Sequence, residues 1–261
     1  FRLGDERPAS ALMNQNVYAG AVLLLLPLAL EKNDWLLAAG LLLNLWLAKS
    51  VGAWLGLAAA LVITRRWRGG ALAWAGLGLA VVCLAVIYGK FQSPEVLDRL
   101  EWWGSAAEMI YDRPLAGFGP GAYAFVLPAY REGGGLSTLY AHQYFLQTAA
   151  EYGFLFAVVW FAGLWSCVMR GSSHKRFGAL AALVHSGWDW TLSVPAILWL
   201  FSYFAASSLT EESRGINISS RYKPAAAAAI LAAGLWLGAG AWNLWAADRA
   251  KSLAASAVGL A

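Results

Sequence analysis

The stretch from Ala71 to Tyr88, ALAWAGLGLAVVCLAVIY, contains eighteen residues and no charged side chain. A helix needs about 20 predominantly apolar residues to cross the roughly 30 Å hydrocarbon core of a bilayer, and this stretch approaches that length. Its apolar residues are continuous rather than alternating, which favours a helix over a barrel strand. The stretch therefore predicts a membrane-spanning helix.

The rest of the chain has the same character. Of its 261 residues, 60% are hydrophobic and only 13% are charged, whereas soluble domains average about 25% charged residues. Further apolar runs lie at Ala11–Leu30, Asp34–Ala48, Gly52–Ile63, Tyr152–Met169, Phe177–Val184 joined to Val194–Leu209, and Pro224–Trp245. We therefore predict an all-α fold, a polytopic transmembrane helical bundle of about seven or eight spans.

One membrane domain is predicted over residues 1–246, with a C-terminal tail at 247–261 and a long hydrophilic loop at 90–143. Basic residues cluster in three short loops, at 64–68, 170–176 and 214–223. Such loops stay in the cytoplasm, so the long loop is expected on the opposite, periplasmic side of a bacterial inner membrane. Since the basic residues sit at helix ends, the positive net charge does not indicate a nucleic acid partner.

The long loop is predicted to contain a helix. Ser93, Pro94 and Glu95 supply a hydroxyl cap, a first-turn proline and a first-turn acid, which together indicate a helix start. Apolar residues then recur at three- and four-residue steps until Pro114, which predicts an amphipathic helix. This apolar stripe, suited to lie on the membrane or on other helices, consists of Leu97, Leu100, Trp103, Ala107 and Ile110, with Arg99, Trp102 and Ala106 on a neighbouring face.

A glycine-rich turn, GFGPG, follows at residues 117–121. Glycine has no side chain and adopts left-handed conformations without steric cost. Gly117 and Gly119 are therefore expected to let the backbone approach a ligand or another helix closely.

His142 closes the loop, where Gln143 begins the next helix. An imidazole can accept a proton from a hydroxyl nucleophile near neutral pH, so His142 is a candidate general base. The alternative is interfacial packing, because histidine is an ordinary amphipathic residue at membrane surfaces.

Arg99 and Arg113 are the candidate phosphate ligands of the loop. Guanidinium matches phosphate oxygens bidentately and always stays charged. Salt bridges to the neighbouring carboxylates of Asp98, Glu95 or Asp112 are the alternative.

His185 and Asp189 lie beside a break in an apolar segment that also contains Pro195. Ionisable residues at such a place indicate function, although they can equally bond to backbone groups freed by the break. His174 lies in a basic loop and is interpreted as a solvated surface residue.

Cys83 and Cys167 lack the spacing of a disulfide or metal site. No nucleotide-binding, zinc-protease or serine-hydrolase motif is present in the sequence. No metal and no cofactor is therefore predicted.

Four fragments resemble the O-antigen ligase and polymerase superfamily of bacterial membrane glycosyltransferases. They are Arg7–Ser10 with Asn14–Asn16, Arg99 and Trp103 with Pro114–Gly121, Ala141–Gln147 with Glu151–Gly153, and His185–Ser186 with Asp189 and Pro195. Their order and spacing carry the resemblance, which covers most of the chain. The sequence is expected to be a C-terminal portion, with the helices that precede Arg7 in the family missing.

The resemblance implies metal-independent transfer of a glycan from an undecaprenyl-diphosphate-linked donor to an acceptor hydroxyl at the periplasmic face. The acceptor would be lipid A core, a polysaccharide or a protein. His142 would be the general base, and Arg99 would neutralise the diphosphate leaving group. The predicted substrate-binding residues are Arg7, Lys49, Arg113, Gly117, Gly119, Gln143, His185 and Asp189.

The chain departs from the family at the start of one span. An arginine usually follows the serine there, whereas Val51 follows Ser50 in this sequence, so a phosphate ligand is missing unless Lys49 substitutes. Two other hypotheses therefore stay open. The protein could be a transporter or a lipid-linked glycan binding protein, or a catalytically degenerate family member. Visible sequence repeats would favour a transporter, and none is found.

Overall fold

The computed structural model of the protein describes residues 14–64, 71–89, 91, 93–131, 138–171 and 174–209, all within the compact unit Phe1–Ser213. Over these residues every regular element is helical, which confirms the predicted all-α class. The helices are α1 (Gln15–Glu31), α2 (Trp35–Leu47), α3 (Val51–Thr64), α4 (Ala71–Gly89), α5 (Pro94–Asp112), α6 (Tyr123–Val126), α7 (Tyr144–Tyr152), α8 (Phe154–Arg170), α9 (His174–His185) and α10 (Pro195–Leu209). Short 3-10 turns lie at Leu127–Ala129 and Thr191–Ser193.

Helix α9 lies at the centre of the main core, in contact with α1, α3, α8 and α10. The helices α3 and α9 approach so closely at Gly56 that a Cβ there would overlap the carbonyl oxygen of Ala181. Large buried side chains fill the remaining space, among them Leu23, Leu24, Leu45, Leu180, Phe201 and Phe204. Burying this apolar surface holds the ends of α1, α3 and α9 next to one another.

The predicted break between α9 and α10 is confirmed. Helix α9 ends at His185, and the chain then turns through Trp188 and Asp189 before α10 begins at Pro195. Proline is tolerated in the first turn of a helix because the missing N–H would have no helical partner there. The break leaves Asp189 in a turn rather than inside a helix.

Helix α5 in the long loop is confirmed, with Pro94 in its first turn and its end before Pro114. One detail of the prediction is wrong, because the Ser93 side chain forms no cap hydrogen bond. The proline already removes one unpaired N–H from this helix end, which lowers the need for a hydroxyl cap.

The face of α5 that packs on the protein differs from the apolar stripe of the sequence. Ala106 and Met109 are buried, with Trp102 packed against them, whereas Leu97 and Leu100 are exposed. The buried face belongs to a second small core with Tyr123, Leu127, Ala141 and Ala150. Arg99 lies one turn before Trp102 on this inward face and is thereby directed towards the rest of the protein.

Within the described ranges no helix is both long and apolar enough to cross a membrane by itself; Trp74–Gly89 and Pro94–Asp112, bent by 91°, reach that length and composition only as a pair. The number of spans stays a prediction. Arg7, the proposed span at Pro224–Trp245 and the tail lie outside the described residues.

Candidate functional site

Three segments that are far apart in sequence meet at Asp189. Arg99 comes from the inward face of α5, His142 from the residues just before α7, and Asp189 from the turn after α9. The Oδ2 atom of Asp189 lies 3.7 Å from Nδ1 of His142 and 3.9 Å from Nη2 of Arg99. The structure therefore brings the two predicted catalytic residues to one carboxylate.

Asp189 is enclosed, with 1% of its side chain exposed. Its Oδ1 accepts a hydrogen bond from the backbone N–H of Trp190 at 2.8 Å, and its Oδ2 has no hydrogen-bond partner. Burial acts to raise the pKa of Asp189, but the neighbouring His142, His185 and Arg99 side chains hold that pKa below its ordinary value. The carboxylate is therefore an anion at neutral pH, facing the imidazole and the guanidinium.

His142 adopts a left-handed backbone conformation, with a φ of +51°. Its ring stacks on Trp102, with 5.1 Å between ring centroids, and meets the edge of Trp190 at 6.4 Å. The Nδ1 atom is buried on the side of Asp189, while 18% of the side chain stays exposed. A proton on Nδ1 facing the carboxylate leaves Nε2 free to accept another proton, which is the arrangement a general base needs.

Arg99 is more accessible, with 31% of its side chain exposed. Its Nη1 donates a hydrogen bond to the carbonyl oxygen of Trp188 at 2.8 Å. Its ionic neighbour is Asp189, a residue far away in sequence, rather than the nearby acids considered in the sequence analysis. A fixed guanidinium of this kind keeps N–H donors for an anionic ligand.

His185 lies behind this cluster and joins three helices. It is almost fully buried, and its Nε2 lies 3.0 Å from the carbonyl oxygen of Asn16 at the start of α1. A Cβ on Gly52 would lie 3.1 Å from its Nδ1 and 3.2 Å from the Cβ of Trp188. The imidazole therefore packs where α1, α3 and α9 meet, a position that fits the structural alternative for this residue.

The same contacts place the beginning of α3 beside the cluster. Gly52 touches His185 and Trp188, so Val51 is one residue away from the site. Lys49 precedes it with an exposed side chain and a φ of +52°. The position at which the resemblance leads us to expect an arginine is therefore one residue away from Gly52, beside the candidate site.

The glycine turn contacts α7 closely. The backbone N–H groups of Phe118 and Gly119 donate to the carbonyl oxygens of Ala150 and Glu151, at 3.0 and 2.8 Å. Gly117 has a φ of +62°, and a Cβ there would overlap the carbonyl group of Glu151. Of the two expectations for this turn, close approach to another helix is therefore observed at Gly117 and Gly119.

Arg113 and Gln143 occupy other places. Arg113 ends α5 and lies over the ring of Phe118 at 4.6 Å from its centroid. It follows Arg99 by fourteen residues on α5, a separation of about 21 Å along the helix. Gln143 caps α7, where its side chain accepts from the N–H of Leu146.

Some residues of the site escaped the sequence interpretation. Trp102, Trp188 and Trp190 surround His142 and Arg99, yet tryptophan is also an ordinary residue of membrane interfaces. The three-residue step from Arg99 to Trp102 is the only sequence feature that places one of these rings on the face of the arginine. Gln147 and Glu151 were seen only as parts of a motif, although both are buried beside the histidine segment.

Among the residues that the structure describes, no three His, Cys, Asp or Glu side chains come together as a metal site.

A family model described as O-antigen ligase matches residues 35–161. The match confirms the resemblance to this family over a region that includes Arg99, the glycine turn and His142. The fragments at Arg7–Asn16 and His185–Pro195 lie outside it. None of the curated proteins and none of the solved structures compared with the chain matches it significantly.

Proposed function

We propose that the protein transfers a glycan from an undecaprenyl-diphosphate-linked donor to an acceptor hydroxyl, because the O-antigen ligase family model matches residues 35–161. The family implies glycosyl transfer of the ligase or polymerase type. The acceptor is lipid A core, a polysaccharide or a protein, and the reaction takes place at the periplasmic face of the bacterial inner membrane without a metal or cofactor.

The observation that carries this proposal is the convergence of His142 and Arg99 on Asp189. Nε2 of His142 takes the proton of the acceptor hydroxyl. The acceptor oxygen then forms a bond to C1 of the donor sugar while the bond from C1 to the phosphate oxygen breaks. Undecaprenyl diphosphate leaves with the electron pair of that bond, and Arg99 neutralises the negative charge that develops on it.

Asp189 has a different role in this proposal from the one the sequence suggested. An anion would repel a diphosphate, whereas beside Nδ1 of His142 it stabilises the imidazolium that forms as the proton is transferred. Of the remaining predicted ligands, Arg7 and Lys49 add positive charge for the diphosphate. Gln143 and His185 hold the segments on which the reacting groups lie.

Several outward-facing apolar side chains support the membrane location. Leu36 on α2, Trp74 on α4 and Trp199 on α10 are among the most exposed residues of the described chain. Large apolar surfaces of this kind are covered by lipid or by another protein. Because the family consists of envelope enzymes with lipid-linked substrates, we propose that lipid covers them.

One observation favours a second candidate, a degenerate family member without activity. Val51 stands beside the site where the family has an arginine, so one cation is missing next to His185 and Trp188. The enzyme hypothesis predicts that Val51→Arg raises the turnover of an already active protein. The degenerate hypothesis predicts that wild type is inactive.

The test uses the full-length protein in lipid nanodiscs with a fluorescent oligosaccharide on undecaprenyl diphosphate. Lipid A core, an oligosaccharide chain and a hydroxyl-bearing protein are offered separately as acceptors, in the presence of a metal chelator. A covalent product with one of them, together with release of undecaprenyl diphosphate, is the expected result. Binding or translocation of the donor without a new glycosidic bond would indicate a transporter or binding protein instead.

A further inference from the structure

His142 is held in a backbone conformation that a residue with a side chain adopts only under constraint. Its φ of +51° lies in the left-handed region, which a non-glycine residue keeps only where the surrounding structure holds it there. The preceding residue, Ala141, is fully buried. The contacts of Ala141 therefore constrain the backbone conformation of His142.

Both backbone polar groups of Ala141 are bound by side chains. Its carbonyl oxygen accepts a hydrogen bond from Nε1 of Trp103 at 3.0 Å. Its N–H donates to Oε1 of Gln147, also at 3.0 Å. The peptide unit that leads into His142 is thus fixed from α5 on one side and from α7 on the other.

The second of these bonds belongs to a directional chain. Because Oε1 of Gln147 accepts from Ala141, its Nε2 is the group that donates to Oε1 of Glu151, at 3.0 Å. Gln147 and Glu151 are one helical turn apart and both are buried. Because the carboxylate of Glu151 can only accept, position 147 needs a side chain that accepts from Ala141 and donates to Glu151, as an amide does.

Glu151 in turn is attached to the glycine turn. Its carboxylate accepts from the backbone N–H groups of Gly121 and Tyr123, the latter at 3.4 Å. Its backbone carbonyl accepts from Gly119. Burying a carboxylate that accepts only from amide groups is energetically unfavourable, which suggests that these hydrogen bonds have a role in the protein. No reacting group of the proposed transfer touches it.

We propose that Gln147 and Glu151 are positioning residues for the general base, because they fix Ala141 and through it the left-handed backbone from which the imidazole of His142 faces Asp189. The inference rests on the proposed function, since it assigns a role in the same transfer. It also explains why the glycine turn lies against α7: the turn anchors the far end of the chain of hydrogen bonds.

The proposal is tested by removing these hydrogen bonds and by exchanging the amide and the carboxylate between positions 147 and 151. Gln147→Leu removes both bonds at nearly constant volume. Since a small displacement of a reacting group costs up to about a hundredfold in rate, we expect kcat to fall between about tenfold and a hundredfold with the KM for the donor unchanged within about twofold. Gln147→Glu places two carboxyl groups against each other and is expected to lower kcat by a similar factor.

Reversal provides the rescue. The double variant Gln147→Glu/Glu151→Gln again pairs one carboxylate with one amide, and the carboxylate now accepts from both Ala141 and the amide. We expect it to recover most of the kcat that Gln147→Glu loses. If the two residues acted independently of this hydrogen bond, no such recovery would occur, because their separate defects would add. The unchanged KM for the donor distinguishes positioning of the base from a general structural defect.

Two further variants keep the test informative. Thr148→Val is the matched control, because it removes a buried hydrogen bond of α7, from the Thr148 hydroxyl to the Tyr144 carbonyl, that does not reach Ala141. Its kcat should equal that of wild type. Trp103→Phe removes the other bond to Ala141 and should lower kcat even if the α7 variants fail to accumulate.

All variants are compared with His142→Ala in the transfer assay with the fluorescent undecaprenyl-diphosphate oligosaccharide. Wild-type kcat in Gln147→Leu and Trp103→Phe, with an inactive His142→Ala, would overturn the positioning role and leave the proposed function intact. Wild-type kcat in His142→Ala would overturn the proposed base, and the positioning role with it.

Discussion

The substitution Asp189→Asn isolates the electrostatic part of the site. It keeps the shape of the side chain and removes the charge that lies 3.7 Å from Nδ1 of His142. Two unit charges at about 4 Å interact by about 4 kcal/mol at an effective dielectric constant of about 20. If the imidazolium carries its full charge in the transition state, the loss in kcat is about a thousandfold, and for a half-developed charge it is about thirtyfold.

The donor KM should respond differently. Arg99 has the anion of Asp189 only 3.9 Å away, and removing that charge leaves the guanidinium free for the diphosphate. We therefore expect the KM for the donor to stay constant or to fall while kcat drops. Single-turnover glycan transfer by the full-length protein, with donor titrations, separates the two parameters.

Asp112→Asn is the matched control for this prediction. Asp112 is also a hydrogen-bonded carboxylate, accepting from the Tyr130 hydroxyl at 2.6 Å, but it lies at the far end of α5. Its kcat should match that of wild type. A loss of less than about threefold in Asp189→Asn would refute the argument, since even a half-developed charge predicts more.

Three other predictions concern stability and donor binding. Gly153→Ala should lower the Tm in detergent, because a φ of +93° costs an alanine about 1–3 kcal/mol and its Cβ would overlap the Leu115 carbonyl. Gly104→Ala is the control, because Gly104 occupies an open helical position and the substitution should leave the Tm unchanged. Equal Tm values for the two variants would contradict this prediction. Burial raises the pKa of Glu151 above its ordinary value of 4.5. The Tm of wild type should therefore fall relative to that of Glu151→Gln as the pH rises from about 4 through the raised pKa. A Tm difference between the two proteins that does not change with pH would disprove the raised pKa. Arg99→Lys should reduce kcat/KM for the donor by about tenfold to a hundredfold, because a lysine cannot form the paired N–H bonds of a guanidinium, whereas an unchanged value would remove Arg99 from the diphosphate site.

Much of the fold follows from local patterns. Within the described residues, the apolar runs as far as Leu209 and the Pro94 start of α5 predicted helices that the structure confirms, and the predicted break after His185 is observed. Each of these predictions depends on residues close together in sequence. The inward face of α5 did not follow in this way. Its apolar stripe suggested Leu97 and Leu100, whereas the packed face contains Ala106 and Met109, since only the position of α7 decides which face is covered.

The site shows the same division. His142 and Arg99 could be selected by their chemistry and by the family fragments, and the structure places both beside Asp189. The part played by Asp189 could not be predicted, because its partners come from segments many residues away. The hydrogen bond from Ala141 to Gln147 could not be predicted either. The two residues are six positions apart with a left-handed residue between them, so no helical or strand periodicity relates them.

We propose that His142 is the base of a glycan transfer reaction. The most direct measurement is single-turnover transfer by full-length His142→Ala beside wild type, with binding of the undecaprenyl-diphosphate oligosaccharide measured on the same preparations. Since general base catalysis contributes about 10²–10⁴ in rate, the variant should lose that factor in transfer while it binds the donor as wild type does. Transfer by His142→Ala at the wild-type rate would contradict the account.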